Sequence, residues 1–430
     1  MRILVITDEV WNDRIHGNNV LSNWFDGFDA EFANIYCSPG FPNNNCCNRY
    51  FQITDKMMLK SIVKGKRVGR IVEKIESNKT DKYINTDLNV NFLKKCLPNV
   101  LRTLKEFVWN VGRYDIDLLK KFLDDFDPDI IFSVRFAKRK ILRLENIVQN
   151  ICKCPIVAFT GDDEYSLKMF TFSPFAWYNK FVQRHSLKKM FKKYSLYYTL
   201  SDEQKDEYNK IFDCPVKILR KCADFDKDFI LKESTYPIKI VYAGKTYCNR
   251  WKTLIEVTKA VQKISANGDK VQFHIYTADK LSEKIFNKLH DGKCSFVHSA
   301  VPSSELNLIY LSSDIVLHVE SFDIKNRLLT RVSFSTKIID CLKSGCAVMA
   351  ICWEKHSGYT YLKREDAAIC INDPNMIYNT ILKLTSDSKL INEYKEKAYN
   401  CAVKNHLRKD VQKMLFNDFN SIIETNNTQS

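Results

Sequence analysis

"VSFSTKIIDCLKSGCAV", Val332 to Val348, reads as a loop, a helix of about two turns, a glycine stop and a fresh apolar strand. Ser335 suits an N-cap, and Thr336 and Lys337 fall in the first turn. Asp340 follows one turn further in, and Gly345 stands where a helix closes in the left-handed conformation. A helix that hands over at once to a short apolar run is half of an alternating α/β grammar.

That grammar extends upstream. IKIVYAG (238–244), KVQFHIYT (270–277), CSFVHSA (294–300), DIVLHVE (314–320) and CAVMAIC (346–352) read as buried strands, and AAICI (367–371) ends the set. Helical patterns at 251–264, 281–289 and 303–311 separate them. The first half repeats the scheme with RILVIT (2–7), DPDIIFSV (127–134), PIVAFTG (155–161) and SLYYTLS (195–201). FILKESTYP (229–237), polar and ending in proline, reads as a linker. The expected class is α/β, with two doubly wound Rossmann-like domains facing across a cleft. They span residues 1–232 and 237–409, and a C-terminal helix and tail at 410–430 returns to the first domain.

Composition narrows the chemistry. The chain has 430 residues but only 12 glycines, and neither GxGxxG nor GxxxxGK[ST] occurs, which excludes the dinucleotide fingerprint and the Walker loop. No apolar run suits a secretory leader or a spanning helix, so the expectation is a reduced, cytoplasmic protein. Its 15 cysteines, without repeated Cys-x2-Cys pairs, then read as small core residues rather than disulfides or a zinc site. A formal charge of +15 admits nucleic acid, anionic membrane or phosphorylated small molecules as partners.

In open α/β sheets ligands bind beyond the carboxyl ends of strands, so the loops there matter most. AGKTYCNRWK (243–252) places Lys245 directly after Gly244 and Arg250 before a helix; two cations can hold a pyrophosphate, Arg bidentately. The amides of Ser335, Thr336 and Lys337 at a helix mouth offer a second anion cradle, with Asp340 placed for a ribose hydroxyl. TGDDEY (160–165) puts Asp162 and Asp163 where a carboxylate could polarise an acceptor hydroxyl, or could simply cap a turn. Gly17 and Asn18 follow the first strand, in a loop open to an acceptor or phosphate. Asp-x-Asp spacings at 125/127, 127/129 and 224/226 read as solvated turns rather than a metal site. His274, inside an apolar strand, reads as a core histidine.

The ordered set Gly244-Lys245, Arg250, VPSSELNLIYLSSD (301–314, with Glu305), STKIID and Gly345 resembles the nucleotide-binding domain of retaining GT-B glycosyltransferases. The likeness is to family 4, in particular the subgroup that builds capsular and other surface polysaccharides. In that pattern Gly-Arg…Lys-Gly follows the first strand; here the two cations are exchanged. The family's paired acids, Glu-x7-Glu, map onto Val332 and Asp340, so only the second is present, and Glu320 lies twelve residues before the first position. The resemblance implies a hexosyltransferase-type enzyme that is metal-independent, uses a nucleotide-sugar donor and needs no cofactor. Lys245 and Arg250 would stabilise the leaving phosphate. Gly244, Glu320, Ser335, Thr336, Lys337 and Asp340 would line the donor. The acceptor would be a saccharide, free or lipid-linked. A sugar-nucleotide epimerase or a non-catalytic nucleotide-sugar binder could share the build.

Residues 178–198, YNKFVQRHSLKKMFKKYSLYY, interleave six cations with apolar residues and read as a basic amphipathic helix. Such a helix suits peripheral contact with an anionic membrane at its inner face. No zinc-finger, RNP or helix-turn-helix signature accompanies the charge, so nucleic acid is not an expected partner.

Overall fold

A computed structural model describes residues 1–14, 20–74, 98–135, 138–225, 232–234, 236–266, 268 and 270–429. Two units emerge: residues 1–167, 171–220 and 409–430 form the first, and 168–170 with 221–408 form the second. Of the 229–237 stretch read as a linker, residues 229–231 and 235 lie outside the described residues.

Among the described residues the first unit is built on eight strands: β1 (Arg2–Thr7), β2 (Glu31–Tyr36), β3 (Arg49–Gln52), β4 (Arg70–Val72), β5 (Ile130–Arg135), β6 (Ile156–Thr160), β7 (Tyr194–Thr199) and β8 (Val216–Ile218). Their order is β4-β3-β2-β1-β5-β6-β7-β8. All pairs are parallel except β3 with β4. The β2 strand escaped the sequence pattern because a polar residue interrupts it. Asn34 is fully buried, and its amide donates to the Val5 carbonyl at 3.0 Å and to Thr7 Oγ1 at 3.1 Å. A buried amide is tolerated when it is bonded, and hydropathy alone cannot see the bond. The final helix, Arg408–Gln429, packs on this unit as expected. Its Phe419 is fully buried against the Phe28 and Phe132 rings, and Asp418 accepts from Tyr198 Oη and Lys217 Nζ, each at 2.5 Å.

The second unit carries β9 (Ile238–Ala243), β10 (Val271–Thr277), β11 (Ser295–Ser299), β12 (Ile315–Val319), β13 (Ala347–Ile351) and β14 (Ile369–Ile371), wholly parallel. The order is β11-β10-β9-β12-β13-β14. Alternation along β10 sends Val271, Phe273 and Ile275 into a core with Leu254, Val257 and Val261 of the Arg250–Ser265 helix. Both sheets are doubly wound, which agrees with the expected α/β class. Within the opening stretch the helix is Lys337–Leu342, and Gly345, at φ 78°, turns the chain into β13. The N-cap is Thr336 rather than Ser335, and no side-chain cap bond forms there.

Candidate functional site

In the second unit the strand order reverses between β9 and β12, which is where an open α/β sheet leaves a crevice. Gly244 and Lys245 follow β9, and Glu320 follows β12. One ion pair spans this switch point. Arg250 donates from Nε to Glu320 Oε2 at 3.0 Å and from Nη2 to Oε1 at 2.5 Å. Glu320 is 2% exposed, and its backbone carbonyl takes the Thr253 hydroxyl at 2.9 Å. Burial pulls the Arg250 guanidinium down, but the Glu320 carboxylate outweighs it and the net shift is upward.

Around this pair lie two further cations. The Lys337 ammonium reaches over Gly244, where an added Cβ would meet Nζ at 1.7 Å. It lies 5.9 Å from the centre of the Tyr242 ring, whose hydroxyl donates to the Lys245 carbonyl at 2.6 Å. Exposed Tyr247 stands between Arg250, 4.8 Å from its ring centre, and Lys245, 6.0 Å from it. Lys337 is lowered to about 8, first by burial and next by Arg250, with Lys245 adding to the effect. The loop itself is pinned from outside. Asp279 accepts from the Thr246 amide and hydroxyl, and Asp323 from the Asn249 amide nitrogen at 3.0 Å. Cys248 and Asn249 take φ of 55° and 59°, and so the loop turns tightly enough to bring Arg250 back beside Lys245. Lys245, Arg250 and Lys337 thus share one place, and a ligand that meets all three there is an anion.

Other site residues of the sequence analysis divide. Asp340 turns to Lys221, 2.6 Å from its Nζ. Val332, the position of the resemblance's first acid, is a buried core residue at 1% exposure. Glu305 is exposed on the Ser303–Leu311 helix. His274 bonds His298 through Nδ1 and Nε2 at 3.1 Å, and burial with the neighbouring His298 pushes it down to about 4.

In the first unit the order reverses between β1 and β5. Buried Asp8, directly after β1, pairs there with Lys138 and with Lys140, the latter at 2.5 Å. Sequence reading missed this cluster, although an acid immediately after the first strand was its visible sign. Beyond β6, Asp163 is committed locally: it accepts from the Ser166 amide at 2.9 Å and from the Ser166 hydroxyl. Asp162 is exposed as a residue, but surrounding protein partly desolvates its carboxyl, which is raised first by that desolvation and then by Glu164 and Asp163. Gly17 and Asn18 lie outside the described residues.

The 178–198 stretch is not one helix. A helix covers Pro174–Phe191, and Tyr194–Thr199 is strand β7. Nor are its apolar residues on one side: Leu187, Met190 and Phe191 are buried, whereas Phe175, Tyr178 and Phe181 are exposed. Lys180 donates to the Asp163 carbonyl at 2.7 Å, and Arg184 to the Tyr165 carbonyl at 2.7 Å. These two cations therefore hold the Asp162 loop. Lys188 and Lys189 remain exposed. The neighbouring Pro98–Val111 helix exposes Leu104, Phe107 and Val111 on one stripe. Among the described residues no helix is long and apolar enough to cross a membrane.

No protein-family profile matches the chain, and no curated protein does. Solved structures do match over nearly the whole length. Sucrose-phosphate synthase from Thermosynechococcus elongatus superposes with a TM-score of 0.63 at 10% identity, covering 99% of this chain and 100% of that one. HepE of Anabaena, in complex with UDP and glucose, gives 0.60 at 12% identity, with 98% and 100% covered. An α,α-trehalose-phosphate synthase (UDP-forming) from Burkholderia vietnamiensis gives 0.55 at 9%, with 98% and 100% covered. The fold is therefore the α/β architecture of GT-B glycosyltransferases, two Rossmann-like domains on parallel sheets.

Proposed function

We propose that this chain is a GT-B glycosyltransferase that moves a hexose from a nucleotide-sugar to a saccharide acceptor, free or lipid-linked, in building a surface polysaccharide. The observation that carries the reading is the gathering of Lys245, Arg250 and Lys337 at the β9/β12 switch point, around a residue with no side chain. As the glycosidic bond to the donor breaks, negative charge grows on the departing diphosphate. Cations already fixed in place stabilise that charge without rearranging solvent. Arg250 is held by Glu320, so its geometry is set before the ligand arrives. Lys337, half-buried and crowded by Arg250, is relieved by an incoming dianion. A divalent metal is then unnecessary for leaving-group stabilisation.

In this reading residues 237–409, most of which belong to the second unit, bind the donor, and residues 1–232, most of which belong to the first, the acceptor. Asp162 is the candidate to orient an acceptor hydroxyl, because Asp163 is taken by Ser166. Retention at the anomeric carbon and the polysaccharide role follow the family 4 likeness. Exposed aromatics on the Pro174–Phe191 helix, beside Lys188 and Lys189, support peripheral contact with an anionic membrane at its inner face, where a lipid-linked acceptor would be met. The test is a thermal-shift screen against UDP, GDP, ADP and CMP sugars, followed by transfer assays. Selective stabilisation that Lys245→Ala and Arg250→Ala both abolish supports the reading; unchanged binding and activity in both remove it.

A further inference from the structure

His318, Cys352 and His356 meet on the second unit's sheet, on the face opposite the Leu317 and Val319 core, and the function proposed above uses none of them. They are 5%, 0% and 1% exposed, and their donor atoms all lie within 4.8 Å of one another. Strand pairing assembles them. His318 sits on β12 opposite Ala350 of β13, Cys352 comes just after β13 ends, and His356 caps the Ser357–Arg364 helix. Gly358 keeps the centre open: a Cβ there would come within 2.9 Å of His318 Nε2 and 3.2 Å of His356 Nδ1. His318 Nε2 is buried without a hydrogen-bond partner. A buried ring nitrogen left unpaired costs on the order of 1–3 kcal/mol, so its retention calls for a ligand.

We propose that His318, Cys352 and His356 bind one soft d10 metal ion, Cu(I) in preference to Zn(II). A thiolate with two neutral imidazoles is a donor set that soft and borderline metals favour. Charge then separates the two ions. Cu(I) with one thiolate makes a neutral centre, whereas Zn(II) leaves a buried positive charge, and the His318 ring already lies in the field of Arg250 and Lys337. Among the described residues no fourth His, Cys, Asp or Glu joins the group, which suits a three-coordinate ion better than a tetrahedral one. On binding, the Cys352 thiol loses its proton to solvent and sulfur bonds the metal. At His356 the ion takes the Nδ1 lone pair that accepts the Gly358 amide at 3.1 Å. Gly358 is buried, so its amide then loses its partner at a cost on the order of 1–3 kcal/mol, which the metal–nitrogen bond has to exceed.

The experiment uses the full chain, reduced and anaerobic, offered Cu(I) or Zn(II) against a chromophoric chelator of each. Wild type is compared with Cys352→Ser, His318→Gln and His356→Asn, the last chosen because Asn preserves the helix cap. The expected result is one equivalent of Cu(I) retained by wild type, a higher Tm with metal, and loss of both in each variant that circular dichroism shows to be folded. Because the chain's other thiols also bind soft metals, equal retention by wild type and folded variants overturns the site. So does no retention by wild type, and Zn(II) retained in place of Cu(I) overturns the choice of ion.

Discussion

The Lys337 ammonium occupies the space that a side chain at residue 244 would need, with only 1.7 Å between Nζ and a Cβ built on Gly244. The atom in the way is the far end of a flexible side chain, so Gly244→Ala should push Lys337 out of the anion site, and it should also lower Tm, because residue 244, at φ 158°, holds a backbone conformation that side chains rarely adopt. Charge-assisted hydrogen bonds contribute about 1.5–3 kcal/mol each, so nucleoside diphosphate affinity should fall by roughly ten- to a hundredfold. Calorimetric titration of the variant, with its Tm as control, measures this. Unaltered affinity would show that Lys337 does not meet the ligand.

Glu320 and Arg250 form a bidentate, largely buried pair, so removing one partner strands the other. Glu320→Gln should lower Tm markedly, by the equivalent of roughly 3 kcal/mol. The double variant Glu320→Gln/Arg250→Met should lose less than the two single losses together, because the stranded guanidinium is gone. A thermal-denaturation cycle over the four proteins reads the coupling, and strict additivity would contradict it.

Lys337 has a direct pH signature. Its folded-state value, about 8, lies below the ordinary lysine value of 10.5. Between those two values the unfolded chain holds a proton that the folded one has released, so this residue makes stability rise as pH climbs from about 8. Anion affinity runs the other way, since the neutral amine no longer attracts phosphate. Wild type should therefore gain Tm relative to Lys337→Met from pH 8 to pH 10 while its UDP affinity declines, and the variant should show neither trend. A wild-type Tm that tracks the variant at every pH contradicts the assignment.

Phe175, Tyr178 and Phe181 are 47%, 53% and 53% exposed on one helix. If they enter a lipid headgroup layer, replacing all three by Ser should weaken co-sedimentation with phosphatidylserine or cardiolipin vesicles by at least about tenfold. High salt should weaken the wild type as well, through Lys188 and Lys189, and donor binding should be unaffected. Equal sedimentation of wild type and variant would remove the membrane contact.

Much of the fold was legible because buried parallel strands are continuous apolar runs. The segments around 238–244, 314–320 and 346–352 stand out for that reason. Strands β3 and β8 leave no period in the sequence, because β3 is four residues with Arg49 and Gln52 at its ends and β8 is three residues with Lys217 in the middle. The anion loop was legible in part. Lys245 and Arg250 could be chosen by their place after a strand, but nothing local marks Glu320 as the partner of Arg250, seventy residues away. Sequence position marks Lys337 for its backbone amide, whereas in the fold its ammonium is the group that meets Gly244.

The sequence by itself determined that this is an α/β chain of two strand–helix series, because hydrophobic periodicity is a local property that each segment carries alone. It also determined that the second series has cations after its first strand and at a later helix mouth. Only the tertiary structure decided that β9 and β12 lie side by side, and hence that Lys245, Arg250 and Lys337 share one pocket of potential with Glu320 beneath them. Strand order is set by how helices and strands pack across the whole sheet. No segment encodes its neighbour, so the site exists only once the sheet has formed.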